Sequence, residues 1–273
     1  MLQIASLNSG SNGNCYYVGN SEEAILVDAG ISCREIEKRM KGLGLVIEKV
    51  KAIFISHEHS DHIRGVEVLS KKYCLPVYIN EATRVSGRLM IDSSLINSFD
   101  ESQLIAINNL SILPFQKKHD AVDPYSFTIS FQGINIGVYT DIGEPCAALK
   151  EHFSSCDAAF LEANYDEAML ATGNYPYHLK ERISGGLGHL SNREAYDLFQ
   201  NHRSSSLSLL LLSHLSANNN CPKIVSALFN QEAGDAKIVV LSRHEASAVY
   251  EVHRNAEEAS KKVSLQSQQM TLF

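Results

Sequence analysis

The chain has 273 residues, 44% of them hydrophobic and 20% charged, with a net charge of −7. That length suits one large α/β domain or two small ones with ample core, and no apolar run approaches the roughly 20 residues of a membrane helix. The acidic balance argues against general affinity for nucleic acid but not against a local positive site, to which two divalent ions would add about four charges.

Strand and helix patterns alternate along the chain. Gln3–Leu7, Cys15–Val18 and Ala24–Asp28 read as strands, broken by the Gly/Ser/Asn turn SGSNGN. The spacing predicts a helix over Arg34–Leu43 that closes at Gly44. Lys51–Ser56 is a short buried strand, followed by a polar cluster and a helix from about His62 to Tyr73. Pro76–Ile79 is a strand and Glu81–Ile91 a helix. A strand-rich block follows at Leu104–Ile107, Leu110–Phe115, Tyr125–Phe131 and Ile134–Tyr139, with Gly133 at a hairpin turn. The second half alternates again. Strands are expected at Ala158–Glu162, Ser208–Ser213, Lys237–Leu241 and Ser247–Val252, and helices at Arg193–His202 and Pro222–Gln231. Two β-rich stretches, each followed by helices, suggest two face-to-face sheets with helices outside. Residues 1–253 are read as one domain and 254–273, rich in Ser, Gln, Lys and Glu, as a flexible tail. The first residues lack the basic and apolar regions of a secretory signal. The six cysteines form no CxxC pair and read as reduced thiols, so the expected location is cytoplasmic.

The strongest chemical signal is SHEHSDH at 56–62, directly after a buried strand. His57 and His59, two apart, can lean toward one ion from an extended segment. Asp61 and His62 can serve a second ion nearby. Imidazole with carboxylate suits zinc, manganese or iron. The competing reading is a helix cap at Ser60 or Asp61, which explains neither His57 nor His59.

This motif has the HxHxDH form of the metallo-β-lactamase superfamily, and the chain resembles that superfamily, in particular its YycJ/WalJ-like branch, which is similar to RNase Z. The resemblance rests on LNSGSNGN (7–14), LVDAG (26–30), SHEHSDH, KKHDAVDP (117–124), YTDIG (139–143), LEANYD (161–166), GHLSN (188–192) and LSHLSANNN (212–220), in that order. It implies an α/β fold, the four-layer αββα sandwich. It also implies that His119 joins His57 and His59 on a first metal, that Asp141 bridges, and that His214 joins Asp61 and His62 on a second. Read alone, His119 could be a loop histidine, Asp141 a turn former and His214 a core imidazole. The remaining histidines match no ligand position and read mostly as surface residues.

Two divalent ions lower the pKa of a shared water and clamp the attacked group; Asp61 could orient that water. The resemblance to RNase Z places His189 at the scissile phosphate as general acid, held by Glu162. Ser191 or Asn192 can also cap the helix that follows, and a helix start favours phosphate. Ser9, Ser11, Asn12 and Asn14 could face a phosphate, or merely form a turn. Lys117, Lys118, Lys180, Arg182 and Arg193 could form a basic rim, or solvated faces. The chain departs from the branch pattern at Tyr165, where a histidine is usual.

The implied function is a two-metal phosphodiesterase, by resemblance a 5′-to-3′ DNA exonuclease using a metal-bridging hydroxide. The alternatives are a thioester or lactone hydrolase of glyoxalase II type and a non-catalytic metal-binding regulator. The chain ends QMTLF, which resembles a peptide that docks on the DNA sliding clamp through Gln269, Leu272 and Phe273; chance is the competing explanation.

Overall fold

The computed structural model describes residues 1–254, so the clamp-peptide residues Gln269, Leu272 and Phe273 lie outside the described residues. One sheet takes β1 (Leu2–Asn8), β2 (Cys15–Gly19), β3 (Ala24–Val27), β4 (Val50–Phe54), β5 (Val77–Tyr78) and β6 (Ile96–Asn97), side by side in chain order. The other takes β7 (Ile105–Ile107), β8 (Leu110–Gln116), β9 (Tyr125–Phe131), β10 (Ile134–Tyr139), β11 (Ala158–Glu162), β12 (Leu209–Ser213) and β13 (Lys237–Val240), also in order. The chain then returns, and β14 (Tyr250–Val252) pairs antiparallel with β1.

Alternation along each strand makes the layers. Tyr16, Val18, Ile25, Val27, Phe54, Phe127, Ile136, Val138, Phe160 and Leu211 share one core between the sheets. Their neighbours Tyr17, Leu26 and Ile53 turn the other way, onto Ile36 and Met40 of α1 (Cys33–Gly42). The loop after β4 holds α2 (Ser60–Ile63), and α3 (Val66–Tyr73) joins this outer layer through Val66 and Leu69. After it comes α4 (Glu81–Ser86). On the second sheet, Leu210 and Leu212 face α5 (Ala147–Phe153) through Leu149 and Phe153. Between β11 and β12 the chain forms α6 (Glu167–Thr172), α7 (Tyr177–Ser184) and α8 (Asn192–His202), and after β12 α9 (Pro222–Phe229). Phe199 of α8 and Phe229 of α9 complete that layer. The result is the expected four-layer αββα sandwich. The run Leu209–Leu212 is apolar throughout because both its faces are covered.

Some elements differ from expectation. The single helix expected over His62–Tyr73 is two, broken at Gly65. A Cβ there would meet the Ile31 carbonyl at 2.1 Å, and the Gly65 N–H bonds to the Ala29 carbonyl, so the chain bends to let two backbones touch. The helix expected to reach Ile91 stops at Ser86, because Arg88 turns left-handed at φ +51. The helices α5, α6 and α7, each of eight residues or fewer, and the two-residue β6 escaped the periodicity reading because they are too short to show a period.

Pairing directions bring the functional strand ends together. β3 and β4 run parallel, so Asp28 and Ser56 leave the first sheet at one end. β8 and β10 both run antiparallel to β9, while β10, β11 and β12 are mutually parallel. His119, Asp141, Glu162 and His214 therefore lie at or just beyond ends on one edge of the second sheet. Among the described residues, no helix is long and apolar enough to cross a membrane.

Candidate metal centre

Three strand ends that reach the centre carry strain. Asp28, Asp141 and His214 have φ of +60, +56 and +55, a left-handed backbone that non-glycine residues adopt at a cost and that clusters at functional sites. The turns at Asp141 and His214 bring their side chains to the loop after β4, and the turn at Asp28 brings its carboxylate to Ser56 and His62.

The side chains expected to hold the first ion meet there: donor atoms of His57, His59 and His119 lie within 4.8 Å of one another. So do those of Asp61, His62 and His214, the set expected on the second. Asp141 lies within the same reach of His57 and His62 on one side, and of Glu162, His189 and His214 on the other.

Each buried imidazole is fixed through its far nitrogen. His57 Nδ1 pairs with Ser56 Oγ at 2.9 Å, and that hydroxyl donates to Asp28 Oδ2. His62 Nδ1 donates to the same Asp28 oxygen at 2.7 Å. His119 Nδ1 donates to the Gly188 carbonyl at 2.9 Å. His214 Nδ1 and His189 Nδ1 both donate to Glu162 Oε1 at 2.8 Å, while Glu162 Oε2 accepts the Ile142 and Leu190 N–H groups. Such outer partners set the tautomer and raise the basicity of the inward nitrogen.

The donor set fits divalent cations. His57 Nε2 faces His59 Nδ1 at 3.1 Å, and His119 Nε2 faces it at 3.4 Å, three nitrogens converging on one spot. Asp141 Oδ2 and His214 Nε2 are buried without a hydrogen-bond partner among the described residues; Asp141 Oδ2 lies 3.1 Å from His62 Nε2, out of hydrogen-bond alignment. Burial opposes charge on His62, yet Asp141, Asp28 and Asp61 outweigh it and push its pKa up to about 10. Burial likewise opposes charge on His214, and Asp141 leads the groups that raise it well above the usual histidine range. The carboxylates thus draw protons onto these two imidazoles, and a bound cation would displace those protons.

The expected phosphate contacts divide. Ser11 is exposed, and Asn12 is half-buried with its Nδ2 on the Arg243 carbonyl at 2.7 Å. Asn14 is buried at the centre, its Nδ2 3.2 Å from Asp61 Oδ2 and 3.0 Å from His62 Nε2. Ser9 Oγ is spent on Tyr16 and on the His214 N–H. Ser191 caps α8 in a reciprocal capping box with Glu194 and also donates to Glu167. Asn192 is buried in a mutual amide pair with Asn220. Both are committed to the fold. Tyr165 is buried beside them, bridging to Ser191.

The basic rim is smaller than expected. Lys117 is buried, its ammonium on the Thr140 carbonyl at 2.6 Å. Lys180 binds the Ala171 carbonyl and Arg193 pairs with Asp197, while Arg182 is held on Asp120 through Nε alone and stays exposed. His152 is half-buried rather than fully exposed: it stacks on Phe115 with ring centroids 4.1 Å apart. Asp28 and Ser56, in the stretches LVDAG and SHEHSDH, carry no expected role in the sequence yet brace two of the imidazoles. Glu162, expected to hold His189 alone, serves His214 as well.

Comparison with known proteins places this geometry. The metallo-β-lactamase superfamily profile matches residues 9–89. Exodeoxyribonuclease YycJ of Bacillus anthracis is 33% identical over 235 residues, spanning 84% of this chain and 88% of that protein. Exodeoxyribonuclease WalJ of Streptococcus pneumoniae serotype 2 is 32% identical over 246 residues, spanning 88% and 91%. The crystal structure of the metallo-β-lactamase fold protein YhfI from Bacillus subtilis superposes with a TM-score of 0.71 at 15% identity, covering 92% of this chain and 100% of that one; it speaks to the fold alone. The chain belongs to the metallo-β-lactamase superfamily, in the branch of YycJ and WalJ.

Proposed function

We propose that this chain is a two-metal phosphodiesterase that degrades DNA from an end, as the names of its relatives YycJ and WalJ describe for them. His57, His59 and His119 would hold one ion, Asp61, His62 and His214 the other, with Asp141 between; zinc, manganese and iron all suit these donors. When bound, the ions stabilise charge developing on phosphoryl oxygens and acidify water.

The observation that carries the reading is the shared Glu162 carboxylate. Burial disfavours its charge, but His189 and His214 outweigh that and push its pKa down to about 2. The resulting carboxylate fixes a ligand histidine with one hydrogen bond and a second, partly exposed histidine with another. His189 Nδ1–H is thereby committed to Glu162, and Nε2 is left for substrate. With a second proton on Nε2 it is an imidazolium, and it gives that proton to the oxygen that leaves phosphorus, returning to the neutral Nδ1–H form. Asp61, 17% exposed and braced by Asn14, is placed to orient the attacking water.

The test is digestion of end-labelled single- and double-stranded DNA and RNA with manganese, by wild type, His59→Ala and His189→Ala, with metal content measured in each. Loss of cleavage in His189→Ala with metals retained supports the acid role, and wild-type rates in that variant remove it. Thioester hydrolysis without diester hydrolysis would replace the reading with the glyoxalase II-like one, and neither activity would leave a metal-binding regulator. A cytoplasmic location accords with a DNA substrate and with six free thiols. The division into a catalytic body over 1–253 and a docking tail over 254–273 belongs to the same proposal. Removing residues 269–273 is expected to abolish co-elution with the sliding clamp; undiminished co-elution would refute the docking.

A further inference from the structure

One charged pair stands beside the first group of imidazoles. Arg182 Nε, near the end of α7, donates to Asp120 Oδ2 at 2.5 Å. The other oxygen, Asp120 Oδ1, is buried without a hydrogen-bond partner among the described residues and lies 3.4 Å from His119 Nε2. One packed junction holds the neighbouring groups. The His189 N–H bonds to the Ile183 carbonyl at 2.8 Å, and His119 Nδ1 bonds to the Gly188 carbonyl. A Cβ at Gly188 would meet the Arg182 carbonyl at 2.2 Å. His119, His189 and Arg182 are therefore positioned together, with His119 and His189 ring centroids 5.4 Å apart.

A surface tether does not account for this arrangement. Exposed ion pairs stabilise little, and a carboxylate serving only as a tether would turn its second oxygen to water. Here that oxygen faces His119. The Arg182 side chain is 60% exposed, and among the described residues its Nη atoms make no side-chain hydrogen bond. A guanidinium held through Nε keeps its amino edge for a second acceptor. In a chain of net charge −7, a fixed cation beside the centre offsets the general repulsion of a polyanion.

We propose that Arg182, positioned by Asp120, binds a phosphate oxygen of the nucleic-acid strand beside the scissile bond. The inference rests on the phosphodiesterase reading but is tested by binding, so the two can fail separately. The probe is a fluorescent single-stranded oligodeoxynucleotide with phosphorothioate linkages, which resist hydrolysis and keep the charge, added to the metal-loaded full chain. Arg182→Ala is expected to weaken binding about tenfold and to make the dependence of log affinity on log salt shallower by about 0.7. Arg182→Lys is expected to keep the salt slope while losing part of the affinity, since charge survives and the fork does not. Asp120→Asn is expected to weaken binding with the slope kept. Wild-type affinity and slope in Arg182→Ala would overturn the proposal. So would affinity lost only in step with bound metal or melting temperature, which would mark a structural tether. A chain that binds the strand but cuts neither DNA nor bis-p-nitrophenyl phosphate would defeat the phosphodiesterase reading and leave the arginine contact standing.

Discussion

The two sheets furnish the centre differently. The first contributes His57, His59, Asp61 and His62 from one short loop after β4, and braces His57 and His62 locally through Ser56 and Asp28 at adjacent strand ends. The second contributes His119, Asp141, Glu162, His189 and His214, each from a separate strand end or loop, and rests two of the imidazoles on the single carboxylate of Glu162. The first half is a local motif whose bracing touches ligand positions only. The second exists only when distant segments converge, and its bracing couples a ligand position to the proposed acid. Loss of the Asp28 brace in the first half should therefore be confined to metal binding, and loss of the Glu162 brace in the second should spread to the chemistry.

The largest effect is expected where the halves meet. Asp141→Ala removes the carboxylate within reach of both groups of donors. Diester turnover is expected to fall by more than the roughly 10–100-fold typical of an outer partner, with bound metal lost; metal analysis and bis-p-nitrophenyl phosphate hydrolysis read both. A variant with full metal and ordinary turnover would show that the halves do not act as one centre. The bracing carboxylates then separate them. Asp28→Asn and Glu162→Gln are each expected to weaken metal affinity about 10–100-fold. Excess metal should restore kcat in Asp28→Asn, where only His62 and Ser56 lose a partner. It should not restore kcat in Glu162→Gln, where His189 also loses its anchor. Equal rescue of both by metal would erase the distinction.

The same contrast governs how much could be read from sequence. The loop ligands were legible because strand, loop and helix follow one another within a dozen residues, and a cap cannot explain two of the histidines. The sandwich was legible because the strands alternate cleanly or are apolar on both faces. His119, Asp141 and His214 had no local signature. A lone histidine after a strand looks like any other, and only the ordered resemblance singled these out. The left-handed turns at Asp28, Asp141 and His214 left only a weak trace in residue type, since none is glycine and the preference of Asp and His for that region does not by itself mark a turn. Ser191 and Asn192 stay ambiguous in sequence because a capping serine and a phosphate-binding serine have the same local sequence; the amide partner of Asn192, Asn220, lies 28 residues away.

That amide pair gives a smaller prediction, about the frame of the second half rather than its chemistry. Asn220 Nδ2 donates to the Ala163 and Asn164 carbonyls and to Asn192 Oδ1, and Asn192 Nδ2 donates back. Asn220→Ala leaves the Ala163 carbonyl, Asn192 Oδ1, Asn192 Nδ2 and the Cys221 N–H without this partner, while the Asn164 carbonyl keeps the Ser216 N–H. An unpaired buried group costs about 1–3 kcal/mol, so destabilisation of at least about 2 kcal/mol is expected in denaturant melts. A loss below the error of the melt would mean that water replaces the amide and that convergence of the second half does not depend on it.

The smallest effect concerns the helices covering the first sheet. Glu37 of α1 accepts hydrogen bonds from Lys72 Nζ at 2.6 Å, Cys33 Sγ at 3.2 Å and Tyr73 Oη at 2.9 Å, clasping α1 to the end of α3. Lys72 first, then Cys33 and Tyr73, lower its pKa from 4.5 to about 2. A depressed carboxylate contributes stability in full above its unfolded value and loses it as acid titrates the folded form. Glu37→Gln is therefore expected to melt slightly below wild type at neutral pH, with a gap that holds down to about 4.5 and closes as pH falls toward 2. The gap should be small, because the carboxylate is partly exposed and water screens the pair, and salt should shrink it further. A gap that widened on acidification would mean that the glutamine loses packing rather than charge, and that the clasp holds the first half's cover by shape.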